Sequence, residues 1–184
     1  MTVQAVLDFW FGQPPANWFR KNPAFDAEVR ERFGATIDVA LSGGLRDWDE
    51  QGAAGTLARI LVLDQFTRNA FRDTPTSFAG DALALAAAVK LVDSGADLAL
   101  TPDQRAFAYM PFEHAESPAM QEKAIALFTR LTAQHARFAD SLDFAHRHSR
   151  VIARFGRFPH RNAILGRAST PEEAAFLTEP GSGF

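Results

Sequence analysis

Five times along this chain a capping side chain stands directly before a proline: Asn22-Pro23, Thr74-Pro75, Thr101-Pro102, Ser117-Pro118 and Thr170-Pro171. The side-chain oxygen of Asn, Ser or Thr can accept the open N–H groups of a helix's first turn. Proline, which has no N–H and a φ already close to helical, suits the position that follows. Thr101 to Gln104 and Thr170 to Glu173 add capping-box spacing. Gly12, Gly43-Gly44 and Gly95 supply the matching stops.

Between these marks the apolar period is near that of a helix. Phe25, Val29, Phe33, Ile37 and Ala40-Leu41 form one stripe, and Leu83, Leu85, Ala86, Val89 and Val92 belong to another helix. Ile125, Phe128, Leu131 and Thr132 continue the pattern after Ser117-Pro118. From Leu57 to Leu63 nearly every residue is apolar, as in a central helix buried on several sides. No segment sustains the alternation of a strand. The spacing predicts helices near 3–11, 23–42, 53–70, 77–94, 102–110, 118–138, 142–155 and 171–178. The expected class is all-α, built from antiparallel helix pairs.

The 184 residues fit a single domain, with a loose tail from Pro180 onward. Apolar residues make up 47% of the chain, enough for a sizeable core, and 17 Phe stand against one Tyr. The absence of Cys excludes disulfides, thiolate chemistry and Cys-ligated metals. No stretch reaches the ~20 apolar residues of a membrane span. The N-terminus has no basic region and carries Asp8 within its apolar run, so no secretory signal is read there. The expected setting is the cytoplasm.

Charge is distributed unevenly. Between Asp143 and Glu172 there is no acidic residue, yet Arg147, Arg150, Arg154, Arg157, Arg161 and Arg167 lie there, with His146, His148 and His160. These six arginines sit in a chain of net charge -3, so the remainder sums to -9. Phe155, Gly156, Phe158 and Pro159 interrupt the stretch, which a plain solvated face would not require. The cations either meet the protein's own carboxylates or wait for an external anion.

Two further stretches mix polar and aromatic residues. Leu63-Asp64-Gln65-Phe66-Thr67-Arg68-Asn69 ends the most apolar helix, with Asp64 and Arg68 at a spacing that allows pairing on one face. In Tyr109-Met110-Pro111-Phe112-Glu113-His114-Ala115-Glu116, Pro111 is expected to break the helix and Ser117-Pro118 to start the next, which fixes Glu113, His114 and Glu116 in a corner. His148, Ile152 and Phe155 share a helical face, which turns the imidazole toward the apolar side. Beyond Gly156 a proline-stiffened loop presents Arg157, His160, Arg161 and Asn162.

Together Leu63-Asp64-Gln65-Phe66…Arg68-Asn69, Pro111-Phe112-Glu113-His114…Glu116 and Phe155-Gly156-Arg157-Phe158-Pro159-His160-Arg161-Asn162…Leu165-Gly166-Arg167 resemble the bacterial DUF924 family. Val6 to Gly12 and Trp18-Phe19 fit it too, so the resemblance covers nearly the whole chain. It implies a tetratricopeptide-like helical fold, although no repeat is readable, and it implies no activity. The family usually has Pro where Thr67 stands, and often Ser where Ala115 stands. A seryl nucleophile at the latter position is therefore excluded.

Several chemistries are open to these residues. Arg157, Arg161 and Arg167 can latch the C-terminal loop onto Asp64, Glu113 or Glu116, or can grip a carboxylate or phosphate, since guanidinium donates two parallel hydrogen bonds. Glu113, His114, Glu116, His148 and His160 are potential metal ligands, but Glu-His-x-Glu is neither His-Glu-x-x-His nor the Glu-x-x-His pair of di-iron bundles, and nearby arginines would repel a cation. Nucleic acid is not expected, because the rest of the chain is acidic and the pI is 5.9. Trp10, Trp18 and Trp48 read as core, and no Gly-rich phosphate loop or nucleophile elbow is present.

The leading expectation is a polar pocket for a small anionic molecule, with no cofactor, metal or membrane partner. Arg157 and Arg161 would clamp the anion, with Asn162, Arg68, Asp64, Gln65, His148 and Glu116 around it. His160 or His114 would carry the proton, oriented by Glu113. An enzyme of this design would be a hydrolase or other acid–base catalyst without a covalent nucleophile. The competing expectation is a tetratricopeptide-like module for protein partners, in which the same motifs are internal latches.

Overall fold

The computed structural model describes residues 1–183 and contains no strand among them, so the chain is all-α. Its contacts group into two units, Met1–Arg72 with Thr76–Pro111, and Asp73–Pro75 with Phe112 onward.

The first unit holds α1 (Val3–Phe11), α2 (Ala16–Phe19), α3 (Pro23–Leu41), α4 (Gly52–Leu61), α5 (Thr67–Ala70), α6 (Asp81–Asp93) and most of α7 (Pro102–Glu113). Asn22 caps α3 as its side chain predicts, accepting from the N–H groups of Ala24 and Phe25 at 3.2 Å each. α4 is the buried centre. Every residue from Gly55 to Leu61 is buried, and α1 and α6 pack against it. Phe9, Trp10, Phe25, Phe33 and Phe66 form a continuous aromatic core, with Phe33 and Phe66 ring centroids 4.7 Å apart.

One helix was expected over 53–70. Instead, a π-helical turn at Val62–Phe66 separates α4 from α5. Thr67 supports this wide turn by donating its hydroxyl to the Leu63 carbonyl at 2.8 Å and, more weakly, to that of Asp64 at 3.3 Å. Residues 77–94 divide likewise into a 3-10 turn (Pro75–Phe78) and the shorter α6. By length and mean hydropathy alone, Pro75–Asp93 passes as a membrane span, contrary to the expectation that no stretch would. The 13 residues of α6, however, rise only about 20 Å, short of a ~30 Å hydrocarbon core.

The second unit is built on α8 (Pro118–Gln134) and α9 (Ala139–Phe155), which pack along each other and are joined by the His135–Phe138 turn, with the short α10 (Pro171–Phe176) near the end. α9 stops at Gly156, whose φ of 69° is left-handed and whose N–H donates to the Ile152 carbonyl at 2.8 Å. Val151, Ile152 and Phe158 form this unit's apolar cluster, with Phe155 and Phe176 against it. In the tail, Ser182 donates its hydroxyl to the Leu177 carbonyl at 3.2 Å.

Pro111 does not break its helix. α7 continues to Glu113. Proline forfeits its own backbone hydrogen bond, yet Tyr109 and Phe112, on either side of it, are both buried.

Candidate functional site

The polar stretch of the first unit is an internal network. Asp64 is fully buried and pairs with Arg68 at 3.1 Å, as the spacing predicts. Gln65 donates its Nε2 to Asp64 and also reaches Met110 Sδ at 3.4 Å. Arg68 holds Asp81 with two donors, at 2.9 and 3.2 Å, and caps the Asp64 carbonyl at 2.7 Å. Burial opposes the charge on Arg68, but Asp64 and Asp81 outweigh it and raise its pKa.

In the second unit the chain turns sharply between α7 and α8. A helix end leaves its last carbonyls open, and two side chains close them here. Gln121 on α8 donates Nε2 to the carbonyls of Glu113 at 2.7 Å and Ala115 at 2.8 Å, and more distantly to Phe112 at 3.5 Å. Arg161 donates to the carbonyl of His114 at 3.1 Å. The guanidinium is a favourable charge at the negative end of a helix.

Phe158, fully buried, is the hub of this corner. Its ring meets His148 edge-on at 5.4 Å, tilts against His160 at 5.6 Å and lies 4.6 Å from the Arg161 guanidinium. Its N–H donates to Glu116 at 2.8 Å, and its carbonyl accepts from Arg167 at 3.0 Å. Arg167 grips Glu116 with both arms, at 2.7 and 2.9 Å, and donates to Asn162 Oδ1 at 2.9 Å. Burial works against the Glu116 charge, yet the Arg167 and Phe158 hydrogen bonds hold its pKa below the ordinary carboxylate value.

Arg157 is engaged on Glu173, to which it donates at 2.6 and 2.8 Å, with a further bond to the Ala168 carbonyl at 2.9 Å. Glu173 also accepts from the Thr170 N–H at 2.8 Å and from Asn162 Nδ2 at 3.3 Å. Chiefly through the Arg157 hydrogen bonds, its pKa falls to about 2.

Three imidazoles share the corner. His148 is buried on α9, and its Nδ1 lies 2.9 Å from the Phe144 carbonyl and 3.1 Å from Glu113 Oε1. A carbonyl can only accept, so Nδ1 carries a proton. The His114 ring centre is 6.3 Å from that of His148. His160 is pushed down to about 3, first by burial, then by the charge of Arg161. It is therefore neutral at pH 7.

The corner thus gathers Glu113, His114, Glu116, His148, His160 and Arg161, while Arg157 and Asn162 join through the Glu173 network. Asp64, Gln65 and Arg68 belong to the network of the first unit. Glu113 Oε1 lies 3.1 Å from His148 Nδ1. Sequence reasoning missed Phe158 as the hub, Gln121 as the cap and Glu173 as the partner of Arg157. Only Glu173 left a signal, as the third helical residue of the capping box at Thr170. Among the described residues, no group of three or more His, Asp or Glu is arranged to hold a metal ion.

The family model described as a bacterial protein of unknown function (DUF924) matches residues 6–181. A solved structure of a protein of unknown function from Agrobacterium tumefaciens is similar at 41% identity, covering 96% of each chain with a TM-score of 0.87. No curated protein matches.

Proposed function

This chain belongs to the DUF924 family, and we propose that the corner of its second unit binds a small anionic molecule, a carboxylate or an oxyanion such as phosphate. The observation that carries this reading is His160 beside Arg161. A neutral imidazole, kept so first by burial and second by the neighbouring guanidinium, marks a partly dry corner with a positive charge beside it. Arg161 supplies the charge, and His160 and His114 supply hydrogen bonds. Arg157 has a smaller part, because Glu173 already holds both of its arms. His160 is a weak base at pH 7, and His114, His148 and Glu113 are the other acid–base side chains of the corner. Any reaction would be proton transfer or hydrolysis without a covalent nucleophile.

Thermal unfolding with added sulfate and inorganic phosphate tests this, since a ligand bound only by the native state raises stability by RT ln(1 + [L]/Kd), about 2.7 kcal/mol at one hundred times Kd. A rise that is lost in His160→Gln supports the site.

A second reading has its own observation. Arg157–Glu173 and Arg167–Glu116 are two-armed pairs that tie the loop to its own unit. They suit a tetratricopeptide-like module for protein partners, with the motifs as internal latches. No stabilisation by either anion would favour that reading.

A further inference from the structure

We infer that Arg157 and Asn162 form a carboxylate-binding cradle which the chain's own Glu173 fills, and that α10 is the strap an outside carboxylate displaces to enter it. This goes beyond the anion site proposed at Arg161 and does not depend on it.

The contacts of Glu173 are those of a bound ligand. Arg157 meets its carboxylate with two donors, Nε to Oε1 at 2.6 Å and Nη2 to Oε2 at 2.8 Å. Asn162 Nδ2 adds a donor to Oε2 at 3.3 Å, and the Thr170 N–H another at 2.8 Å. A guanidinium fork that donates two bonds to one planar group selects carboxylates by shape as well as by charge. Asn162 is itself held in position. Its Nδ2 also reaches Ser169 Oγ at 3.1 Å, and its Oδ1 accepts from Arg167 at 2.9 Å. Arg157 and Asn162 lie in the loop after α9, whereas Thr170 and Glu173 belong to α10 and its cap. Both donors of Arg157 and that of Asn162 therefore stay behind when α10 leaves.

The carboxylate is the main tie of a short element. α10 has six residues, about half of the ~12–15 that an isolated helix needs in water. A further tie is the Arg154–Glu172 pair at 2.9 Å, which is exposed on both sides and so contributes little. Another is the contact of Phe176 with Phe155, two partly buried rings 5.1 Å apart. The Arg167–Glu116 pair is also two-armed, but Glu116 lies in the turn between two long helices and has no short element to leave with. An outside carboxylate thus competes with a tethered one. The tether gives Glu173 a high effective concentration, so the closed state dominates. A ligand shifts the balance because it binds the open state alone. Occupancy of the cradle is then reported by release of α10.

Chemical rescue by acetate tests the cradle. Glu173→Ala removes the internal ligand and keeps Arg157 and Asn162. It should melt below the wild type. Acetate should raise its midpoint saturably, above the effect of chloride at equal ionic strength and of acetamide, which has the shape without the charge. An anion site at Arg161 raises both proteins alike, so the excess in Glu173→Ala over the wild type is the measure. Adding Arg157→Ala should remove that excess. No excess, or an excess that survives Arg157→Ala, overturns the cradle and leaves the Arg161 site standing. Hydrogen exchange of the wild type tests the strap without any variant. The N–H groups of Ala174 and Leu177, bonded to the carbonyls of Thr170 at 2.9 Å and Glu173 at 3.0 Å, report α10. That of Gly156, bonded to Ile152 at 2.8 Å, is the reference at the end of α9. Acetate should speed exchange at Ala174 and Leu177 by the factor 1 + [acetate]/Kd for the open cradle and leave Gly156 unchanged. Equal rates in acetate and chloride overturn the strap.

Discussion

Arg157 spends both arms of its guanidinium on Glu173, sixteen residues further along the chain. The pair closes the stretch of loop between α9 and α10, and Asn162 and the Thr170 N–H converge on the same carboxylate. The consequence is a defined acid sensitivity. Glu173 has its folded pKa lowered from 4.5 to about 2, mainly by the Arg157 hydrogen bonds. A depressed carboxylate contributes stability that is fully present above the unfolded value and is lost as pH falls through the folded one. Thermal midpoints of the wild type should therefore decline between about pH 4.5 and 2. Glu173→Gln should be less stable at neutral pH and lose this part of the decline. Parallel curves for the two proteins over that window would show that the carboxylate is not the sensor.

At the alkaline end, the reporter is Tyr109. It is 1% exposed, donates its hydroxyl to Asp97 and accepts from Arg105 at 3.0 Å. Burial first, and the Asp97 contact second, push its pKa up to about 12. A raised folded pKa contributes stability that is present below the unfolded value of 10 and is lost as pH rises through 12. Since the chain has one tyrosine, absorbance at the tyrosinate band reads this group alone. The band should be missing near pH 10.5 in folded protein and appear at that pH in denaturant. Tyrosinate at pH 10.5 in the folded chain would place the hydroxyl in water.

The helices were readable because their signals are local. Asn22 and Thr170 sit at caps that bond as their side chains predict, and the α4 run is apolar because it is buried all round. The π turn was not readable, since nothing in the residue types of Val62–Phe66 separates a π turn from an α-helical one. Nor was α7's passage through Pro111, since packing can outweigh the cost of a proline, and Tyr109 and Phe112 around it are both 1% exposed. At the corner the cast of residues was legible, but the pairings were not. Gln121 looks like any polar residue of an amphipathic helix, yet it is 1% exposed and closes the turn's carbonyls. Which carboxylate meets which arginine depends on how the loop folds back, and spacing holds no record of that.

The π turn is also crowded. A Cβ built on Gly80 would overlap the Leu63 carbonyl oxygen and lie 2.9 Å from its carbon. That oxygen already accepts from Thr67. Gly80→Ala must therefore displace backbone, and it should cost about 3 kcal/mol or more. Thr67→Val keeps the volume and removes only the hydroxyl, so about 1 kcal/mol is expected. Urea unfolding measures both, and a Gly80→Ala protein as stable as Thr67→Val would contradict this account of the turn.

Arg161 has two tasks that substitution can separate. As a cap, it donates to the His114 carbonyl and lies against Phe158. As a charge, it depresses His160 and supplies the proposed anion site. Arg161→Ala should cost roughly 1.5–3 kcal/mol, the range for a hydrogen bond to a charged group, and should abolish stabilisation by sulfate. Arg161→Lys keeps the charge but loses the planar fork, so it should recover part of the stability and little of the anion affinity. In both variants the His160 imidazole is still buried. In Arg161→Ala its pKa should climb from about 3 as the second of its causes is removed, and in Arg161→Lys it should stay low. The C2 proton shift of His160, followed by NMR from pH 2 to 7, reads this directly. An unchanged titration in Arg161→Ala would mean that burial alone keeps His160 neutral, and the positive field on which the anion site rests would be gone.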